Sequence, residues 1–173
     1  MVVILASGIS VLAQNKTYES PDKNLRVAII PVGMKGYAAY ESLVEIRTFG
    51  GRVLRWRSFA SPDHSHGEVV GHAEWSADGQ FFIFNTSSSG GHQPWHVATY
   101  FYGRRENKLY SLDALIGLIT SDFKLAAQNT VVITRFNFNK NEEKEAVRVR
   151  LQKPRAPLIT NPATNKALQV TAR

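Results

Sequence analysis

A pair of similar segments 56 residues apart constrains the fold of this chain more than any other feature of its sequence. The segment YESPDKNLRVAII (18–30) matches EWSADGQFFIFN (74–85), because each has an acidic turn followed by an apolar run. At the same offset RVLRW (52–56) falls on KLYSL (108–112), and a glycine-containing turn precedes each of them. Similarity at a fixed spacing is typical of repeat architectures. The chain is therefore predicted to repeat a unit of strand, long loop, strand, turn and strand.

The two units cover about 18–60 and 68–113. Short turns between apolar runs favour an antiparallel meander. The predicted strands are Leu25–Ile30, Leu43–Phe49 and Arg52–Phe59 in the first unit, and Glu68–Trp75, Phe81–Asn85, His96–Tyr102 and Lys108–Leu112 in the second.

The remainder of the chain is less regular. Segment 112–119 is apolar on one helical face and predicts one or two helical turns. Two apolar runs around a polar NKNEEKE turn predict a hairpin at 129–152. Segment 154–173 holds three of the seven prolines and is expected to be a flexible tail. The length of 173 residues then suits a single β domain at 14–153.

The aromatic residues also favour sheet over helix. Nine Phe, six Tyr and three Trp are crowded between residues 18 and 138, and such side chains pack well on a pleated surface. We predict a mainly β protein with less than roughly a fifth helix, against about a third in an average domain.

The segment WSADGQFFIF followed by KLYSLD resembles the blade unit of TolB-type, WD40-like β-propeller repeats, and SPDKN (20–24) resembles a degenerate copy of its turn. The resemblance covers about residues 18–125. It implies propeller-blade sheets that act as a binding or scaffolding surface in the cell envelope, and it implies nothing catalytic. A closed propeller typically has about four to eight blades. Two clear units leave three alternatives: an open sheet, a sandwich, or a partial propeller that closes by oligomerisation.

The first residues, MVVILASGISVLAQ, form an apolar run that ends in a small-residue site at Ala13. This run indicates a secretory signal peptide at 1–13, although no basic residue precedes Lys16. The alternative is that the run forms a buried first strand. A membrane-spanning helix is excluded, because the run is too short to cross a bilayer. The chain has no Cys, whereas eukaryotic secreted modules usually use disulfides. The expected location is the bacterial periplasm or the exterior of the cell.

The formal charge of +7 lies entirely in the second part of the chain. Residues 104–173 carry thirteen Lys or Arg against six Asp or Glu, while residues 1–103 carry eight of each. In EAVRVRLQK, Arg148 and Arg150 alternate with apolar residues. This alternation predicts an outer strand with one buried and one charged face. It argues against a nucleic-acid partner, because exposed aromatics are not interleaved with the basic groups.

All five histidines fall between residues 64 and 96. The SADG turn makes the strands on its two sides antiparallel, so the segment before the first strand and the loop after the second meet at one end of the sheet. Neutral imidazole is a common ligand for Zn²⁺ or Cu²⁺. The spacing matches no named zinc motif, and solvated loop histidines are the alternative. The candidate metal ligands are His64, His66, His92 and His96.

The loop NTSSSGGHQPWH offers a second candidate site. An aromatic face with flanking hydrogen-bond donors is a common combination in carbohydrate and peptide sites. A structural loop in which the Trp covers the core is the alternative. The candidate ligand-binding residues are Gln93, Trp95, Asp63 and His72.

No sequence motif of a common enzyme class is present, so no catalytic residue is predicted. A Ser87–His96–Asp113 set can be assembled, but a chain with many serines offers such combinations by chance. Two function classes remain. The first is an exported, non-enzymatic binding or scaffold protein with a protein or carbohydrate ligand. The second is a protein that binds Zn or Cu through its histidines.

Overall fold

Strands dominate the computed structural model, which describes residues 15–33, 40–93, 95–137, 143–151, 158–160 and 167–169. The predicted signal peptide at 1–13 lies outside these residues. Within them, thirteen strands form three antiparallel sheets. Pairing of neighbours along the chain builds each sheet, as a meander requires.

The first sheet has the strand order β1-β2-β3-β4 and the second has β5-β6-β7-β8. The strands of the first sheet are β1 (Lys16–Glu19), β2 (Leu25–Val32), β3 (Glu41–Thr48) and β4 (Val53–Ser58). Those of the second are β5 (Glu68–Trp75), β6 (Phe81–Ser88), β7 (Ala98–Gly103) and β8 (Lys108–Ser111).

The third sheet has the order β13-β12-β11-β10-β9 and follows a one-turn helix, α1 (Asp113–Ile116). Its strands are β9 (Lys124–Ala126), β10 (Thr130–Asn137), β11 (Glu143–Arg150), β12 (Leu158–Thr160) and β13 (Ala167–Gln169). The last two short strands lie in the segment predicted to be a tail. The strand β11 has the predicted alternation, with Val147 and Val149 buried and Arg148 and Arg150 exposed. The expectation of an outer strand is wrong, because β12 pairs with β11 on the side opposite β10.

The turns that join the first two strands of the first and second sheets have matching hydrogen bonds. The Ser20 hydroxyl donates to Asp22 Oδ1 at 2.7 Å and accepts from the N–H of Leu25 at 3.0 Å. The Ser76 hydroxyl donates to Asp78 Oδ1 and accepts from the N–H of Phe81 at the same two distances. Short polar side chains that bond nearby backbone groups favour such turns. The repeat predicted at an offset of 56 residues is therefore present in three dimensions.

The three sheets stack face to face and enclose two cores. The first core lies between the first and second sheets and includes Val27, Ile46 and Phe82. The second lies between the second and third sheets and includes Ile83, Phe101 and Val149. The middle sheet is therefore covered on both faces. For this reason β6 and β7 are buried over most of their length. In contrast, β2 alternates between buried and half-buried residues.

The predicted fold class is confirmed: the chain is mainly β, its sheets are antiparallel, and they form an open stack consistent with blade-like units. The strand Glu68–Trp75 has the predicted bounds, and the other predicted strands differ by a few residues at their ends. The four-residue α1 is the one helix among the described residues. No helix in this part of the chain has the length and apolar character needed to cross a bilayer.

The stack has two distinct ends. The turn end carries the Ser20–Asn24 and Ser76–Gln80 turns. The loop end carries the 59–67 loop, which joins β4 to β5, and the 89–97 loop, which joins β6 to β7. The backbone N–H of Ser89 donates to the carbonyl of Gly67 at 2.9 Å, so the two loops are in contact.

Candidate functional site

A buried carboxylate holds the 59–67 loop in place. The side chain of Glu41, at the start of β3, is 0% exposed. It accepts hydrogen bonds from the backbone N–H groups of Ser61 (2.7 Å) and Gly67, and from the hydroxyl of Ser89 (2.9 Å). Burial raises the pKa of the Glu41 carboxyl, but these donors outweigh burial and hold the pKa below its usual value. A charged group thus ties the first sheet to both loops of the loop end.

Close approach of the backbone to this carboxylate requires glycine at position 67. A Cβ atom there would lie 2.4 Å from the carbonyl oxygen of Phe59 and 2.5 Å from Cδ of Glu41. Neither neighbour can move easily, because one is backbone and the other is fixed by its hydrogen bonds. Gly67 therefore helps to hold the 59–67 loop against the Glu41 carboxylate.

The 59–67 loop contains a third copy of the repeated turn, SPDHS (61–65). The N–H of His66 donates to Ser61 Oγ at 3.1 Å and the N–H of Ser65 donates to Asp63 Oδ1 at 3.2 Å. Hydrogen bonds from Ser61, His66 and Ser65 hold the pKa of Asp63 well below its usual value. His64 has φ 54°, as Lys23 has φ 56° at the same place in the SPDKN turn. The same side-chain hydrogen bonds that shape a turn between two strands of one sheet therefore shape this loop, which connects two sheets.

This turn fixes the position of His66. Its Nδ1 lies 2.5 Å from Asp63 Oδ2, and its ring stacks on that of His92 with a centroid separation of 5.8 Å and an interplanar angle of 15°. His92 is exposed on the 89–97 loop. The two loops therefore bring two of the predicted imidazoles into contact across the loop end.

Beside this pair lies a cleft of about 190 Å³. The larger part of its lining consists of polar side chains from both loops and from β5 and β6. The lining residues are His66, Gly67, Glu68, Thr86, Ser87, Ser88, His92, Gln93, His96 and Ala98. Three of the four predicted metal ligands and the predicted Gln93 thus share one cleft.

His96 is held from the opposite side by Asp113 of α1. Its Nε2 lies 2.8 Å from Asp113 Oδ1, and the other carboxylate oxygen of Asp113 accepts the N–H of Thr99 at 2.8 Å. The N–H of Ile119 also donates to Asp113 Oδ1, at 3.1 Å. These bonds fix the imidazole at the wall of the cleft.

Two of the predicted histidines lie outside the cleft lining. His64 turns toward the buried carboxylate of Glu41, with Nδ1 3.7 Å from one of its oxygens. His72 belongs to the contact between the second and third sheets, since Nδ1 lies 3.0 Å from Asp122 and the ring stacks on Phe123 at 4.3 Å. Both positions follow from strand register and turn geometry, which the spacing of histidines does not encode.

Trp95 lies next to the cleft without lining it. Its ring is 46% exposed, and its centroid lies 6.2 Å from that of His96 and 5.6 Å from that of Phe136. The edge of Phe136 supports the indole, so a broad aromatic surface remains open to solvent beside the polar cleft.

The site residues do not form a metal cage in this arrangement. Among the residues that the structure describes, no group of three or more His, Asp or Glu side chains is placed to hold a metal ion. Asp63 engages Nδ1 of His66, and Asp113 engages Nε2 of His96. A metal would need these side chains to reorient.

The Ser87–His96–Asp113 set is only partly assembled among the residues that the structure describes. The His96–Asp113 pair is present, but within the described part of the chain no serine hydroxyl is hydrogen-bonded to His96. Ser87 lines the same cleft without such a bond.

The sequence prediction missed Glu41 and the third turn. Nothing in the sequence marks Glu41, since its burial depends on loop closure. Glu68 lies at the same end of the sheet as the cleft histidines, and its carboxylate accepts the hydroxyl of Thr86 at 2.5 Å in the cleft lining. The third turn did leave a signal, because SPDHS repeats the first three letters of SPDKN.

No known family model matches this sequence, and no curated protein matches it. Among solved structures, the crystal structure of puromycin hydrolase is similar to this chain, with 15% sequence identity and a TM-score of 0.37. The match covers 91% of this chain and 28% of that protein. This chain therefore spans 28% of the length of the structure that it matches, and a likeness of this size carries no conclusion about function.

Proposed function

We propose that this chain is a non-enzymatic binding protein of the bacterial envelope, and that its ligand occupies the cleft at the loop end. The observation that carries the proposal is the convergence of His66, His92, His96 and Gln93 on one polar cleft. Blade-like sheets of the TolB or WD40 kind would act as the rigid support. Sites on loops held by a rigid scaffold are the usual arrangement for binding proteins.

The dimensions of the cleft favour a small polar group. Its volume of about 190 Å³ is below the range of roughly 300–1,000 Å³ typical of sites for drug-sized ligands. One sugar unit fits this description. Imidazole, amide and hydroxyl groups would bond the sugar hydroxyls, while the exposed indole of Trp95 offers a flat surface for an adjoining ring. A carbohydrate chain is therefore the favoured ligand, and a peptide side chain is the competing one.

Metal binding is the second candidate, because three imidazoles line the same cleft and two of them stack. Reorientation of His66 and His96 away from their carboxylate partners would free nitrogen atoms for Zn²⁺ or Cu²⁺. Protons would compete with the metal for the imidazole nitrogens, so binding would weaken in acid.

Calorimetric titration with soluble oligosaccharides, with peptides and with Zn²⁺ or Cu²⁺ separates these candidates. We expect an oligosaccharide to bind the wild-type protein, and His92→Ala or Trp95→Ala to weaken binding about tenfold or more. His72→Ala is the matched control, since it removes an imidazole outside the cleft. Tight binding of metal alone, lost in His92→Ala, would favour the second candidate. Binding of carbohydrate that is unchanged by both cleft variants would contradict the site.

Export is part of the same proposal. The apolar run at 1–13 and the absence of Cys support it. N-terminal sequencing of the protein from its native host is expected to find a start near Gln14 in the periplasmic or secreted fraction. An intact Met1 in the cytoplasmic fraction would contradict export and would leave the cleft untouched.

A further inference from the structure

A second cavity lies at the turn end, remote from the histidine cleft. It has a volume of about 560 Å³ and opens between the second and third sheets. Phe81 and Leu151 form its floor, and these side chains are 8% and 3% exposed. The volume is in the range of small-molecule sites, which are largely apolar with a few polar groups at fixed positions.

The walls of this groove carry two guanidinium groups. Arg105 follows β7 and Arg150 ends β11, and both residues are exposed. Within the described parts of the chain, neither side chain forms a hydrogen bond or an ion pair. Two cations beside an apolar floor are suited to an organic anion, because a guanidinium binds carboxylate, phosphate or sulfonate oxygens with directed hydrogen bonds.

The carboxylate of Asp78 does not cancel these charges by direct contact. Its Oδ1 accepts from Ser76 and from the N–H of Gln80, and its Oδ2 accepts from Asn129 at 2.7 Å. Burial raises the pKa of Asp78, but these donors outweigh it and lower the pKa below its usual value. Both oxygens are thus engaged, Oδ1 within the turn and Oδ2 by Asn129 in the turn before β10 of the third sheet. Glu106 is the other acidic residue of the lining, and it opposes the binding of an anion.

Backbone geometry and hydrogen bonds fix the shape of the groove. Gln128 and Asn129 have φ values of 58° and 57°, in the left-handed region that non-glycine residues seldom adopt. Asn129 holds this turn against the second sheet through Asp78, and its carbonyl accepts the N–H of Leu151 at 2.9 Å. Gln128 consequently presents its amide at the wall of a fixed cavity.

We infer that this groove is a binding site for an organic anion, with the apolar part of the ligand on Phe81 and Leu151 and its acidic group between Arg105 and Arg150. The site is separate from the cleft of the proposed function and does not depend on it.

The probe is 8-anilinonaphthalene-1-sulfonate, an aromatic anion whose fluorescence rises in apolar sites. N-Phenyl-1-naphthylamine, which has the same rings without the sulfonate, is the neutral comparison. We expect the sulfonate to bind the wild-type protein, and Arg105→Ala or Arg150→Ala to weaken its affinity about tenfold. Glu106→Gln should strengthen it severalfold, because an opposing charge is removed. The affinity of the neutral amine should be unchanged in all three variants.

A double variant, Lys16→Ala with Arg52→Ala, is the control. It removes two positive charges from exposed residues of β1 and of the turn before β4, and should leave sulfonate binding unchanged. The inference is overturned if the sulfonate does not bind the wild-type protein. It is also overturned if the sulfonate binds the Arg105→Ala and Arg150→Ala variants as tightly as it binds the wild-type protein, or if its affinity falls equally in the control. Each Arg is changed singly, so misfolding of one variant leaves the other as a test.

Discussion

The guanidinium of Arg104 donates to Asp22 Oδ2 at 2.8 Å across 82 positions of sequence, and so joins the second sheet to the turn of the first. The next pair of sheets has an equivalent contact, in which Asn129 donates to Asp78 Oδ2 at 2.7 Å. In each turn one carboxylate oxygen shapes the turn and the other reaches the following sheet. The repeated Asp therefore specifies both local structure and the packing of sheets.

The turn hydroxyls are predicted to matter more for stability than the contacts between sheets. Ser76→Ala leaves the buried N–H of Phe81 without its partner, which should lower the free energy of unfolding by about 1–2 kcal/mol. Ser87→Ala, at an exposed position, should change it by less than about 0.5 kcal/mol. Urea unfolding of both variants measures the difference, and equal values would contradict the role given to the turn.

The contact between Asp22 and Arg104 is expected to be weak. The two side chains are 42% and 24% exposed, and solvent-exposed ion pairs contribute about 0–1 kcal/mol. A double-mutant cycle with Asp22→Ala and Arg104→Ala should give a coupling free energy below about 1 kcal/mol that decreases in salt. A coupling free energy of several kcal/mol would mean that the pair is the main clamp between the sheets.

Gly67 is predicted to tolerate no side chain. Gly67→Ala places a Cβ atom against Phe59 and Glu41, and should lower the free energy of unfolding by about 2–4 kcal/mol. Gly50→Ala is the control, because the nearest atom to its Cβ would be Thr48 Oγ1 at 3.9 Å. Thermal unfolding of the two variants checks this. Similar stability in both would show that the 59–67 loop is not anchored as described.

Glu41 should make stability depend on pH. Its folded-state pKa is lowered, so its contribution is present above the unfolded-state pKa, about 4.3, and is lost as the pH falls through the folded-state value. Glu41→Gln should cost about 2 kcal/mol at pH 7, since the amide cannot accept all the bonds that the carboxylate accepts. The difference between wild type and variant should shrink as the pH falls below about 4.3 in denaturant titrations. A difference that stays constant would contradict a charged carboxylate.

The sequence predicted the fold well because the repeat is local. The strand Glu68–Trp75 and the turns at Asp22 and Asp78 depend on neighbouring residues, and these match the structure. The site was predicted only in part. Antiparallel pairing does bring His66, His92 and His96 together, but the orientation of His64 toward Glu41 depends on a buried carboxylate that is distant in sequence. Long-range packing of this kind produces no periodicity or motif in the sequence, so it could not be predicted.

Chemical-shift mapping tests the central claim, that the cleft at the loop end binds the ligand, most directly. Backbone amide signals would be followed by nuclear magnetic resonance during titration with the oligosaccharide that binds best in calorimetry. The account predicts saturable shifts for His66, His92 and Gln93, with little change at Gln128 in the turn end. Saturable binding that leaves these three signals in place and shifts residues of the turn end would contradict the claim.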